Sequence, residues 1–233
     1  MPLPHCNAQN ELIQSLSATA QQRLLKGCEL VNLAHNEVLY ATGQATALVY
    51  FPVSGSVSLI AEISGHVGLQ VGMIGREGML GEYVSLGIRE SPLRAVVQGS
   101  GQAWRVPVLQ FCQELPMGSS LRRSVNRCLY VRMAQLAGWS ACVRFHSIGP
   151  RLACWLLMCR DRADADTFTV THQALGRALG VRRVGVTQAA GILQRAGLIS
   201  YRRGEITVLK RRDLERAACS CYLADRARYE AQF

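Results

Sequence analysis

No stretch of this chain constrains its fold more than Thr171 to Leu209, THQALGRALGVRRVGVTQAAGILQRAGLISYRRGEITVL. Thr171 can accept a bond from an unpaired backbone amide, and Ala174, Leu175, Ala178 and Leu179 repeat at helical spacing, so a helix starts near His172. Gly180 follows the last apolar residue, where a left-handed backbone costs little, and Val181 fills the corner between two steeply crossing helices. The helical period restarts over Arg182 to Arg195. Val186, Ala189, Ala190, Ile192 and Leu193 face a core there, and Arg182, Arg183, Thr187 and Gln188 face out. Gly197 ends this helix; Leu198 to Tyr201 reads as a strand, Arg202-Arg203-Gly204 as a tight turn and Ile206 to Leu209 as the return strand. Two short helices, a glycine turn and a basic hairpin make a winged helix-turn-helix, which implies double-stranded DNA as a partner.

Charge agrees with the motif. From Thr171 to Arg212 the chain carries Arg177, Arg182, Arg183, Arg195, Arg202, Arg203, Lys210, Arg211 and Arg212 against the single acid Glu205, and this segment holds most of the formal net charge of +10. Cations gathered where phosphates would lie favour a nucleic acid over a merely solvated basic face. Arg183, Thr187 and Gln188 are the expected base contacts, with Arg182, Thr171, Arg202 and Arg203 on phosphates.

At 233 residues, 49% apolar and 18% charged, the chain has room for two packed domains. No apolar run reaches membrane-spanning length and the start, MPLPHCNAQN, lacks the pattern of a signal peptide, so a cytoplasmic location is expected. The nine cysteines are scattered, and Cys6 and Cys28 each stand alone, which suits reduced, mostly buried thiols. Cys219-Ser220-Cys221 is the tightest pair. It has no second pair or histidine at metal-site spacing along the chain, so packing is its expected role and no metal site is assigned.

Upstream, ELIQSLSATAQQRLLK (Glu11 to Lys26) reads as two short helical turns forming a lid. From Cys28 to about Phe111, alternating runs punctuated by glycine imply an antiparallel β-sandwich or barrel. From Ser119 to His146 glycines nearly vanish, and Leu129, Met133, Leu136 and Val143 fall on a three-four spacing in one long helix. Periodicity alone fits either a dimer seam or a helix resting on the barrel. Ile148-Gly149-Pro150 breaks that helix and makes a hinge; the next helix runs from Arg151 to Arg160, and the acidic DRADADT leads into the helix-turn-helix. The fold class is therefore α+β: a jelly-roll-like barrel over 1–118, a dimerisation helix over 119–147 and a winged helix-turn-helix over 148–233.

This order of parts resembles the Crp/Fnr family of bacterial transcription regulators. Three motifs carry the resemblance: Tyr50-Phe51-Pro52-Val53-Ser54-Gly55-Ser56-Val57, similar to the family's strand-glycine-strand turn, Gly75-Arg76-Glu77-Gly78-Met79-Leu80-Gly81-Glu82, similar to its phosphate-loop region, and the helix-turn-helix. The resemblance implies a homodimer joined through the long helix, two recognition helices in successive major grooves of a near-palindromic site, and RNA polymerase as a further partner. At the family's base-reading positions Arg183 keeps a guanidinium, while Val184 stands in place of an acid and Gln188 in place of an arginine. The operator should therefore differ from the family's best-known site. Turn geometry with positive φ is the expected task of Gly55, Gly65 and Gly78.

The resemblance also raises a cyclic nucleotide as effector. Gly81-Glu82 matches the pair that holds the ribose, but Leu93-Arg94 stands where an arginine-serine pair should hold the phosphate, and Leu136 and Ala137 occupy the base-reading hydroxyl positions. One surviving polar anchor of three argues against cyclic AMP; Arg89 or Arg94 would suit a different small anionic ligand, and the cofactor is unknown. The iron–sulfur and haem modes lack a thiol cluster or a partnered ligand for His66 or Cys112. No nucleophile–base pairing or spaced carboxylate pair marks an enzyme, and Glu77 with Glu82 suits turn and pocket geometry. Two other outcomes stay open: a ligand-binding module that acts through protein contacts, and a constitutive regulator whose barrel is only a scaffold.

Overall fold

Asn10 is both a helix cap and a clasp. Its Oδ1 accepts from the Ile13 amide, while its Nδ2 donates to the carbonyls of Pro52 and Gly78, both at 2.9 Å, tying the first helix to two turns of the sheet domain. The computed structural model describes residues 10–66, 68–116, 118–163 and 165–233, so Cys6 lies outside the described residues. Helices α1 (Glu11–Gln14) and α2 (Ala18–Lys26) and the link between them bury Leu12, Ile13, Leu16 and Leu24 against a core containing Phe51 and Phe111. They form the lid expected of them.

The sheet domain comprises β1 (Glu29–Leu33), β2 (Val38–Tyr40), β3 (Leu48–Pro52), β4 (Ser56–Ala61), β5 (Leu69–Ile74), β6 (Arg94–Gly99) and β7 (Gly101–Pro107). All pairings are antiparallel, in two sheets of order β1-β7-β3 and β2-β6-β4-β5. The jelly-roll-like arrangement is as expected, but the two sheets face each other without closing into a barrel. Their inner faces supply Val57, Leu59, Ile74, Ala95, Val97 and Ala103, and Tyr40 and Tyr50 fill the space between, ring centroids 5.9 Å apart. Gly55 and Gly65 turn with φ of +76° and +78° as expected; Gly78 does not adopt positive φ, and a Cβ there would touch Ile74.

After α3 (Val108–Gln113) comes the long helix α4 (Ser120–Phe145), capped by Ser119, whose Oγ accepts from the Arg122 amide. One face of α4 buries Leu121, Val125, Cys128 and Val131 against the lid and sheets. The opposite face leaves Tyr130, Met133 and Phe145 52%, 63% and 77% exposed. A short break at His146 and Ser147 leads into α5 (Ile148–Ala163), longer at both ends than its sequence pattern, with Pro150 in its first turn. Leu152, Trp155, Leu156 and Leu157 of α5 are buried at the centre of the C-terminal unit.

Around α5 fold β8 (Thr167–Thr169), α6 (His172–Leu179), α7 (Arg183–Arg195), β9 (Ile199–Arg202), β10 (Glu205–Val208), α8 (Arg211–Ala217) and α9 (Cys221–Glu230). The wing is a three-stranded sheet of order β8-β10-β9. Its outer strand comes from the end of the acidic DRADADT segment, where three residues are too few for alternation to show. The last helix, α9, folds back on α4 and buries Tyr222.

Candidate nucleic-acid interface

The turn between α6 and α7 forms for the reasons its residues suggest. The Thr171 Oγ1 accepts from the Ala174 amide at 3.1 Å, Gly180 ends α6 with φ of +65°, and the Val181 amide donates back to the Gly176 carbonyl. A Cβ on Gly180 would also come within 2.9 Å of the Leu69 side-chain end on β5, which would have to shift; the positive φ is the firmer requirement for glycine. Helix α7 starts at Arg183, with Arg182 as its N-cap, and buries Val186, Ala189, Ala190 and Leu193. Ile192, expected in that stripe, is 58% exposed: at helical spacing it lies a quarter turn beyond Leu193, outside the width that α5 covers.

On the outer face of α7, Arg182, Arg183, Thr187 and Gln188 are all exposed. The Thr187 hydroxyl donates to the Arg183 carbonyl at 3.1 Å, as a helical threonine does when nothing else engages it. The wing tip places Arg203 at φ of +50° and Gly204 at +85°, which holds both arginines of the turn in solvent. Thr171, Arg183 and Arg203 border one concavity of about 480 Å³, with His172 and Tyr201 in its floor. Those two rings meet edge to face at 4.7 Å, and Tyr201 donates to the Val170 carbonyl. Burial, then the nearby Arg183 guanidinium, lower the His172 pKa. Arg182 and Arg183 also border a second cavity of about 930 Å³, whose other wall is the β4–β5 hairpin with Ile63, His66 and Leu69. The N-terminal corner of α7 thus faces the sheet domain.

Among the described residues no acid pairs with Arg182, Arg183, Arg202 or Arg203. Several other arginines do pair with acids, Arg94 with Glu62, Arg105 with Glu29, Arg160 with Asp166, Arg162 with Glu77 and Arg211 with Glu215, whereas among the described residues Arg89, Arg177, Arg195 and Arg212 also have no acid partner. Four unengaged guanidinium groups on one surface form an electropositive face with its hydrogen-bond donors available.

The residues considered for a ligand pocket do not come together. Glu82 is buried, and its carboxylate accepts from Arg132 of α4 at 3.3 Å, both side chains about nine-tenths buried. Leu93 packs with the inward Ala95 and Val97, whereas Arg94 points to the outer face and reaches Glu62. Arg89 is exposed beyond a short 3-10 turn, and Gly81 introduces that turn with φ of +88°. Sequence spacing held no signal for Arg132, or for Arg162, which donates to Glu77 at 2.8 Å from the end of α5. Both are distant in the chain from the acids they meet. On α4, Met133 lies on the open face, with Leu129, Leu136 and Val143 half-buried along its edge.

Residues 150–217 match the family model of the Crp-like helix-turn-helix domain. The Global nitrogen regulator of Nostoc sp. is 28% identical over 184 residues, covering 75% of this chain and 82% of that protein. Among solved structures, the c-di-GMP responsive global regulator CLP of Xanthomonas campestris aligns with a TM-score of 0.67 at 18% identity, covering 82% of this chain and 99% of that one. FixK2 from Bradyrhizobium japonicum aligns with a TM-score of 0.67 at 14% identity, covering 83% and 98%.

Proposed function

We propose that this chain is a transcription regulator of the Crp/Fnr type that works as a homodimer and reads a near-palindromic operator through Arg183, Thr187 and Gln188. The observation that carries the proposal is the set of four arginines without acid partners among the described residues, arranged on the start of α7 and the wing tip. Arg183 would address guanine O6 and N7 in bidentate fashion and Gln188 an adenine edge, while Arg182, Arg202, Arg203 and the Thr171 hydroxyl hold phosphates. Thr171 keeps a donor for this, because its cap bond uses only an acceptor site. The open face of α4 around Met133 would meet its counterpart in a second copy, setting the two recognition helices about 34 Å apart. DNA bound this way would be read out by RNA polymerase, in the cytoplasm.

The effector, in this proposal, is not cyclic AMP. Glu82 is already neutralised by Arg132, Leu93 and Arg94 offer no inward guanidinium, and Leu136 and Ala137 have no hydroxyl. A different effector would act by shifting the contact between β5 and the α6–α7 turn.

Selection of binding sites from random duplex DNA, with and without cyclic AMP at fixed salt, tests the proposal. An enriched two-fold-symmetric motif, unchanged by the nucleotide and losing its preference in Arg183→Ala, is the expected result. Weak binding indifferent to sequence would instead mean a module that acts through protein contacts, and enrichment only with the nucleotide would overturn the assignment of the effector.

A further inference from the structure

The long helix and the last helix meet at four potential metal ligands. Cys142 and His146 lie four residues apart on one face at the C-terminal end of α4; Cys219 precedes α9 and Cys221 opens it. Their three Sγ atoms and one imidazole nitrogen all lie within 4.8 Å of one another. We propose that Cys142, His146, Cys219 and Cys221 bind one zinc ion, in a Cys3His site that fastens α9 to the end of α4.

Three observations converge on this ion. The donor set is one of the standard structural zinc sets. Spacing agrees too: zinc–sulfur bonds of about 2.3 Å and zinc–nitrogen bonds of about 2.0–2.1 Å at tetrahedral angles give a sulfur–sulfur edge of about 3.8 Å and a sulfur–nitrogen edge of about 3.6 Å. The Cys142 and Cys219 sulfurs are 3.7 Å apart, and the Cys221 sulfur lies 3.5 Å from His146 Nδ1. Finally, Cys142 and Cys219 are buried while His146 and Cys221 are half-buried at the rim, which makes a closed inner wall with access from one side. Separations under 4.8 Å fit a single ion shared by all four groups. An iron–sulfur cluster, which bonds thiolates to different irons, spreads its ligands further. Binding involves no redox change: the three thiols lose their protons to solvent as the three zinc–sulfur bonds form.

The position gives the ion a structural task. His146 is the C-cap of α4 and opens the two-residue break from which α5 and the whole DNA-binding unit depart, and α9 is the element that returns from that unit to α4. An ion held between them closes that loop and fixes the orientation of α7 relative to the long helix. The site is independent of the DNA assignment, because metal content and DNA binding are separate readouts.

The full chain, stripped with chelator under reducing conditions, is titrated with Co2+ and then Zn2+. One equivalent of cobalt should give thiolate charge-transfer bands and the intense visible bands of a tetrahedral ion, and zinc should abolish both. Zinc should also raise the melting temperature. Cys221→Ser and His146→Ala, at the half-buried rim where folding is least at risk, should each weaken cobalt binding at least about tenfold. Cys112→Ser, remote from the site, should leave it unchanged. Absence of tetrahedral cobalt bands, full affinity in the double variant Cys221→Ser with His146→Ala, or a Cys142–Cys219 disulfide in metal-free protein purified with reductant would each overturn the proposal.

Discussion

Arg132 and Arg183 show how one side chain serves two ends. Arg132 reaches from α4 to the sheet domain, nine-tenths buried and bonded to Glu82, whereas Arg183 stands exposed at the start of α7 with no acid partner among the described residues. A buried guanidinium stabilises the fold only while its carboxylate is present, since either charge alone in a low-dielectric interior is costly. An exposed and unengaged guanidinium contributes little to the fold and keeps its donors for a partner. Pairing, more than residue type or local charge, separates the cations that hold this molecule together from those that would act on another.

The largest effect should come from breaking the buried pair. Arg132→Met leaves the buried Glu82 carboxyl without its partner and should cost about 3–5 kcal/mol of stability in chemical denaturation, while Arg183→Met leaves the denaturation midpoint within error. Next, Arg183→Ala should lose about 1–3 kcal/mol of discrimination at one base pair per half-site, measured by competition between operator variants. Met133→Asp, on the open face of α4, should weaken the proposed dimer by more than about 1.4 kcal/mol, a tenfold change in sedimentation equilibrium, without unfolding the chain. Arg203→Ala should reduce the slope of log affinity against log salt by about one and weaken binding to all sequences alike.

The smallest effect concerns His172. Its pKa is lowered by burial and by Arg183, so on acidification the unfolded chain takes up this proton before the folded one. The contribution of His172 to stability is therefore full above the ordinary histidine pKa of about 6.5 and falls as pH drops through it. In His172→Gln that part of the pH dependence should vanish from the denaturation profile.

The helix-turn-helix was readable because its determinants are local. Thr171 and Ala174, Gly180 and Val181, Arg203 and Gly204 lie within a few residues of one another, and the backbone preferences of each fix the turn it makes. Ile192 departs from the expected buried stripe because the period identifies a face but not its width, which depends on how much of α7 is covered by α5. The sheet domain announced its alternation and glycine turns but not its closure, since two sheets and a barrel share the same period of two.

By itself the sequence determined the order of parts, the Thr171 cap, the turns at Gly55, Gly65 and Gly180 and the basic surface of the winged helix-turn-helix, all of which follow from short-range backbone and side-chain chemistry. Only the tertiary structure decided which distant groups meet: Arg132 with Glu82, Arg162 with Glu77, and Cys142 and His146 with Cys219 and Cys221. The spacing of a thiol pair near the chain end says nothing of a helix more than seventy residues earlier. That encounter is set by how α9 packs back on α4, and packing is a property of the folded core as a whole.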